Sequence, residues 1–95
     1  MAQTKNGNRA GYAYNQIETL SGAVTLVPGD SGKVFLCAAA TVTLPSASDA
    51  GAGWHAKFVY KSGTTTVDGL AQPDAAGEFV DVFCDGSAYY KVGEY

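Results

Sequence analysis

The chain has little with which to perform chemistry. Its 95 residues include one histidine and two cysteines, and none of them sits in a catalytic or metal-binding spacing. Cys37 and Cys84 are too far apart in sequence for a CxxC redox or metal pair, and two cysteines are too few for a disulfide framework. Each falls in an apolar stretch, where a free thiol behaves as a small hydrophobe. A bridge between them would require neighbouring strands at a suitable Cα spacing. His55 alternates onto the polar side of its strand, and no nucleophile with an orienting acid can be placed beside it, so it reads as a surface or edge residue. The scattered carboxylates offer no zinc spacing, and the segments around Asp68 and Asp74 lack the alternating oxygen ligands of a calcium loop. Residues 29–33, Gly-Asp-Ser-Gly-Lys, contain a glycine and a lysine without phosphate-loop spacing or a following helix. No catalytic residue, cofactor or metal is therefore expected.

Charge is also sparse. Only 16% of the residues are charged, and the net charge is -3. Such a chain lacks the basic face that phosphate contacts need, which argues against direct nucleic-acid binding. No apolar run approaches membrane-spanning length, so no membrane partner is expected. Residues 1–8 are polar and no apolar h-region follows, so no signal peptide is expected.

The chain does hold ample material for a β-core, with 46% hydrophobic residues, and its length suits one domain. Residues 1–15 are different in kind: they carry Lys5 and Arg9, no acid, and no aliphatic side chain larger than alanine apart from the initiator Met. Such a segment cannot bury enough apolar surface to offset the cost of ordering its backbone. The expectation is an extended N-terminal arm over residues 1–16 and a single β-domain over 17–95. Tyr12 and Tyr14 alternate and can plug one side of a partner, while Lys5 and Arg9 meet acidic groups. These four are the candidate binding residues.

From Ile17 onward, short apolar runs alternate with turn chemistry. Ser21-Gly22 reads as either a tight turn or a bulge within one longer strand. Val24 and Leu26 share a face, as do Val34 and Leu36, and Val42 and Leu44. A small-residue joint crosses Ala39 and Ala40, and Pro28 and Pro45 stop their strands. Residues 46–51 could form a single helical turn capped by Ser46 or Ser48. In the longest strand, Trp54, Ala56, Phe58 and Tyr60 lie opposite His55, Lys57, Val59 and Lys61. Residues 64–67 make a β-branched strand, and 68–77 form a loop. Asp85-Gly86-Ser87 carries the strongest hairpin signal, joining the strand of Phe79 and Phe83 to that of Tyr89 and Tyr90. Asp81, on the Phe79/Phe83 side, is the one carboxylate expected to be partly covered. Together these features predict an all-β fold, a small antiparallel β-sandwich or barrel of about six to eight short strands with an extended N-terminal arm.

The order Asp30-Ser31-Gly32-Lys33, Thr43-Leu44-Pro45, Ala52-Gly53, Asp85-Gly86-Ser87 and Tyr89-Tyr90 resembles a β-module of tailed-bacteriophage virion proteins, found in capsid decoration (cement) proteins and tail-fibre segments. The resemblance covers about residues 17–95. It implies a non-enzymatic structural protein that binds the outer surface of an icosahedral shell as a homotrimer and stabilises it. The partner would be the major capsid protein, and the location the virion after synthesis in the bacterial host cytoplasm. A reducing cytoplasm disfavours a Cys37–Cys84 bridge. On the same resemblance the basic arm would lie on the capsid or clasp a sister subunit. The alternative is a tail-fibre or tail-tip module with host-glycan adhesion, using Trp54 or the tyrosines near the C-terminus. A small hydrolase or lyase is the weakest option.

Overall fold

The computed structural model describes residues 16–94. Six strands run in chain order: β1 (Gln16–Thr25), β2 (Lys33–Thr43), β3 (Ala52–Ser62), β4 (Thr66–Val67), β5 (Phe79–Asp85) and β6 (Tyr89–Glu94). A 3₁₀ turn, Pro28–Asp30, follows β1, and a one-turn helix α1 (Ala47–Ala50) follows β2. The strands make one open mixed sheet in the order β1-β2-β3-β5-β6, with β4 paired to β2. β1, β3 and β4 all run parallel to β2, whereas β3–β5 and β5–β6 are antiparallel.

The expected antiparallel sandwich or barrel is therefore corrected to a single open sheet whose first half is parallel. The strand number agrees with the expectation; the strand direction and the closure do not. The reason is geometric. Gln16 is paired with Lys33, and Thr25 with Thr43. A straight strand of 10 residues would span about 30 Å. The residues 26–32 that lead back to Lys33 reach at most about 28 Å when fully extended, and three of them are wound into the 3₁₀ turn. The strand must bend for the chain to return, and it does so at Gly22, where φ is 68° and the register with β2 shifts. Ala39 (φ 53°) is the extra residue of β2 at that point, and Gly63 (φ 66°) lies between β3 and β4 on the same line. Each bent strand turns back on itself, so short links give parallel neighbours and the chain winds as a coil. The bulge reading of Ser21-Gly22 and the small-residue joint at Ala39 and Ala40 both hold.

Coiling stacks like positions on one another. Glu18, Phe35 and Phe58 are in register, as are Val24, Val42 and Val67. The Phe35 and Phe58 rings stack at 5.3 Å between centroids, and both are fully buried. Burying each such ring contributes about 1.5–3 kcal/mol. Leu20, Cys37, Trp54, Val80, Val82 and Cys84 belong to the same single core. The hairpin β5–β6 continues the sheet beyond β3 with antiparallel pairing. Its turn is held by Asp85 Oδ1, which accepts the N–H groups of Ser87 (2.7 Å) and Ala88 (2.8 Å).

Of the expected arm, only Gln16 falls among the described residues, and it is the first residue of β1. The candidate binding residues Lys5, Arg9, Tyr12 and Tyr14 lie outside the described residues.

The bend makes a specific demand at Gly63, where a Cβ would stand 2.7 Å from the Ala39 Cβ, in a backbone conformation that disfavours L side chains. Gly63→Ala should lower the unfolding free energy by roughly 2–4 kcal/mol, from left-handed strain plus overpacking. Gly29→Ala, with open space around its Cβ, should stay within about 0.5 kcal/mol of the parent. Urea unfolding followed by tryptophan fluorescence checks both.

Candidate functional site

The turn motifs singled out in the sequence are built into main-chain clips between successive turns of the coil. Asp30 Oδ2 accepts the Val27 N–H at 2.9 Å, closing the 3₁₀ turn, and Asp30 Oδ1 accepts from Lys33 Nζ at 2.7 Å. Lys33 Nζ also donates to Glu18 at 3.1 Å. Ser31 Oγ accepts the His55 N–H (3.2 Å), and the Gly32 N–H donates to the His55 carbonyl (2.7 Å). The Asp-Ser-Gly-Lys stretch thus fastens the start of β2 to both β1 and β3. Burial pushes the Asp30 carboxyl up, but the hydrogen bonds from Lys33 and Val27 and the lysine's charge outweigh it and leave its pKa below the ordinary 3.8. Lys33 is held above its ordinary value, first by its bond to Asp30 and then by Glu18.

The second clip surrounds Thr43-Leu44-Pro45. The Leu26 N–H donates to the Thr43 carbonyl, and the Leu44 N–H to Asp68 Oδ2 at 3.0 Å. Asp68 itself adopts φ 42°, a left-handed turn conformation that aspartate tolerates better than most residues. The Tyr89 hydroxyl donates to the Pro45 carbonyl at 2.6 Å, and its ring meets Trp54 edge-on at 5.7 Å. Burial pushes the Tyr89 phenol up to about 12, with Cys84 and Asp68 adding to the shift. Ser46 Oγ accepts the Asp49 N–H and caps α1, as one of the two expected capping serines.

His55 departs from its expected place on a wet face. It is 8% exposed, because the turn at residues 31–32 binds both its main-chain N–H and its carbonyl and lies over it. Its Nδ1 stands 3.0 Å from the Gly53 carbonyl. Among the described residues no group of three His, Cys, Asp or Glu side chains is arranged to hold a metal ion. A depression of about 290 Å³ lined by Thr66, Gly69, Leu70, Ala71 and Gln72 is open to solvent and holds no ionisable side chain. No helix among the described residues is long and apolar enough to cross a membrane.

Cys37 and Cys84 are both free and buried. They sit on β2 and β5 with β3 between them, and they lie opposite different ends of β3, Cys37 beside Tyr60 and Cys84 next to the partner of His55, so two inter-strand spacings and about 20 Å along the strand put them well beyond disulfide reach. Burial pushes the Cys37 thiol up to about 11.

What the sequence reading missed is the character of the second sheet face. Residues paired across strands project on the same side. The core side takes Phe35, Phe58 and Val80. The other side takes the row Ile17, Val34, Lys57 and Asp81 and, one step along, the row Thr19, Leu36, Val59 and Phe79. Phe83 and Tyr90 extend it onto β6 as a stacked pair at 5.4 Å. Lys57 Nζ lies 5.3 Å from the Phe79 ring centroid. Ile17 is 74% exposed and Tyr90 47%, while Val34, Leu36, Val59, Phe79 and Phe83 are half-buried. The signal was present in β2, where apolar residues occupy both sets of alternate positions, the mark of a strand covered on both faces. Asp81 is half-buried on this side, as expected.

Comparison with protein-family models, with curated proteins and with solved structures found no match.

Two outcomes follow from this geometry. Thiol reagent at pH 8 should modify neither cysteine in the folded chain and should titrate both after urea unfolding; rapid native modification of Cys37 would contradict its burial. A carboxylate held below its ordinary pKa stabilises the fold above that value and loses the contribution as pH falls through its folded pKa. Stability should therefore drop on acidification below about pH 3.8, the ordinary value for Asp30. Asp30→Asn should be less stable than the parent at neutral pH and show a shallower acid loss, as read by thermal unfolding across pH.

Proposed function

We propose that the chain is a non-enzymatic structural protein of a tailed-bacteriophage virion, a decoration or cement protein that binds the outer surface of the icosahedral shell as a trimer and stabilises it. The observation that carries this reading is the use to which the recurrent motifs are put. Asp-Ser-Gly-Lys, Thr-Leu-Pro and Asp-Gly-Ser, the residues on which the resemblance to the virion β-module rests, spend their polar groups on main-chain and ion-pair clips. A motif used in this way marks a scaffold that presents surfaces. A catalytic motif would instead leave polar groups converging on open space.

The major capsid protein is the partner in this reading, and the arm, taken as residues 1–15 because Gln16 belongs to β1, is the attachment element, with Lys5, Arg9, Tyr12 and Tyr14 as its anchors. A trimer would multiply weak contacts per chain by avidity. Neither nucleic acid nor membrane has a part in it. The tail-fibre alternative draws on one feature, the exposed Tyr90 stacked on Phe83, which offers an aromatic platform of the kind sugars use.

Quantitative mass spectrometry of purified virions separates the two. A copy number close to that of the major capsid protein, or to a simple lattice fraction of it, is the expected result. A handful of copies would move the chain to the tail, and none would end the virion reading. Deleting residues 1–15 should leave the circular dichroism of the β-domain intact and abolish capsid attachment; normal occupancy by the truncated chain would remove the arm's role.

A further inference from the structure

Parallel sheets occur almost only with both faces covered, and β1, β2 and β3 form a parallel half-sheet. The core takes one side of it. The other side, continued onto β5, carries Val34, Leu36, Val59 and Phe79 in two adjoining rows, all half-buried. We propose that residues 1–15 of the same chain cross this outer face as a strap, with Tyr12 and Tyr14 seated on its apolar rows.

Reach decides which residues can meet. Gln16 opens β1 at the margin of the face, and β2, β3 and β5 follow in that order, at about 5, 10 and 14 Å from β1. A chain covers at most about 3.3–3.6 Å per residue. Tyr14, two residues before Gln16, therefore reaches β2 with its Val34 and Leu36. Tyr12, two residues further out, reaches across Val59 to Phe79. Their spacing turns both rings to one side of an extended segment. Arg9 has the length to pass Phe79 and meet the carboxylates of Glu78 and Asp81.

Three features select this segment over a second copy or another protein. It is tethered at the edge of the face, which gives it an effective concentration in the millimolar range, whereas a separate chain would have to bind from dilute solution. It is complementary in charge: Lys5 and Arg9 give the segment +2 with no acid, and a net charge of -3 for the whole chain leaves -5 on the remainder. Its two tyrosines can lay their rings on apolar surface with the hydroxyls in water, and a segment too polar to build a core of its own gains order only against a surface already formed. The inference does not rest on the capsid reading, but it bears on it. The same tyrosines cannot hold the strap down and anchor the shell at once, so attachment through them would uncover the face.

Nuclear magnetic resonance of the full 9.8 kDa chain provides the test, in free solution and separately from the count of copies per virion. The expected result is nuclear Overhauser contacts from the Tyr12 and Tyr14 rings to the Leu36 and Val59 methyl groups within one chain, unchanged on dilution. A sample mixing labelled and unlabelled chains distinguishes these from contacts between chains. Absence of the contacts overturns the proposal, and so does their appearance only between chains. Trypsin supplies a second readout, since cleavage after Arg9 follows the population of released strap. The double substitution Tyr12→Ser with Tyr14→Ser alters no residue of the six strands and should accelerate that cleavage about tenfold. A rate equal to the parent's overturns the proposal.

Discussion

Everything in this fold depends on a bend that crosses three strands at one level. Gly22, Ala39 and Gly63 take positive φ values of 68°, 53° and 66°, and their alignment turns the sheet through a corner. Without it the link after β1 would be too short to bring the chain back, and β1 could not lie parallel to β2 in this register. Two of the positions are glycine, for which the conformation is cheap. The third is alanine, for which it costs about 1–2 kcal/mol. That cost is met locally: the Ala40 N–H, displaced from the ladder by the bulge, donates at 3.1 Å to the hydroxyl of Thr65, a fully buried side chain. Strain in the backbone and satisfaction of a buried donor are thus two parts of one arrangement.

The polar residues of the turns follow from the coil. Each passage from one turn to the next leaves main-chain groups that no neighbouring strand can satisfy, and buried groups of that kind must find partners. Asp30, Ser31, Asp68 and Asp85 supply them from side chains. Residues that look like a functional signature in the sequence are therefore consumed in holding the scaffold, and the surfaces left for recognition are the plain ones. The buried Trp54 indole N–H escapes the pattern, with no hydrogen-bond partner among the described residues.

Much of the architecture was legible because it is written in local chemistry. Proline stops, the Ser46 cap, the Asp85-Gly86-Ser87 hairpin and the alternation of Trp54, Ala56 and Phe58 each declare themselves within a few residues. Strand direction does not. Alternation tells which face a side chain takes and is the same for parallel and antiparallel neighbours, and a short polar link reads as a hairpin unless the strands beside it are known to bend. The clue lay in Ser21-Gly22 and Ala39-Ala40, whose meaning emerges only when they fall at one level of the sheet. His55 was misplaced for a related reason, since its cover comes from a turn distant in sequence. Val34 and Leu36 were correctly put on one face, yet that face acquires significance only when it extends over β3 and β5.

The register of the coil also sets where it ends. Phe35 and Phe58 stack in one column, and the position above them on β1 is Glu18, whose carboxylate is drawn to Lys33 at 3.1 Å. Another strand laid along the edge of β1 that is unpaired among the described residues would have to seat a side chain on that carboxylate and strip it of its lysine. The edges of regular sheets are hazards because they template indefinite growth, and an ion pair at the head of an apolar column is one means of stopping it. A side chain of the opposite sign at the same place in a further strand is what continued growth of the column would require, and repetition of the same sequence does not supply it.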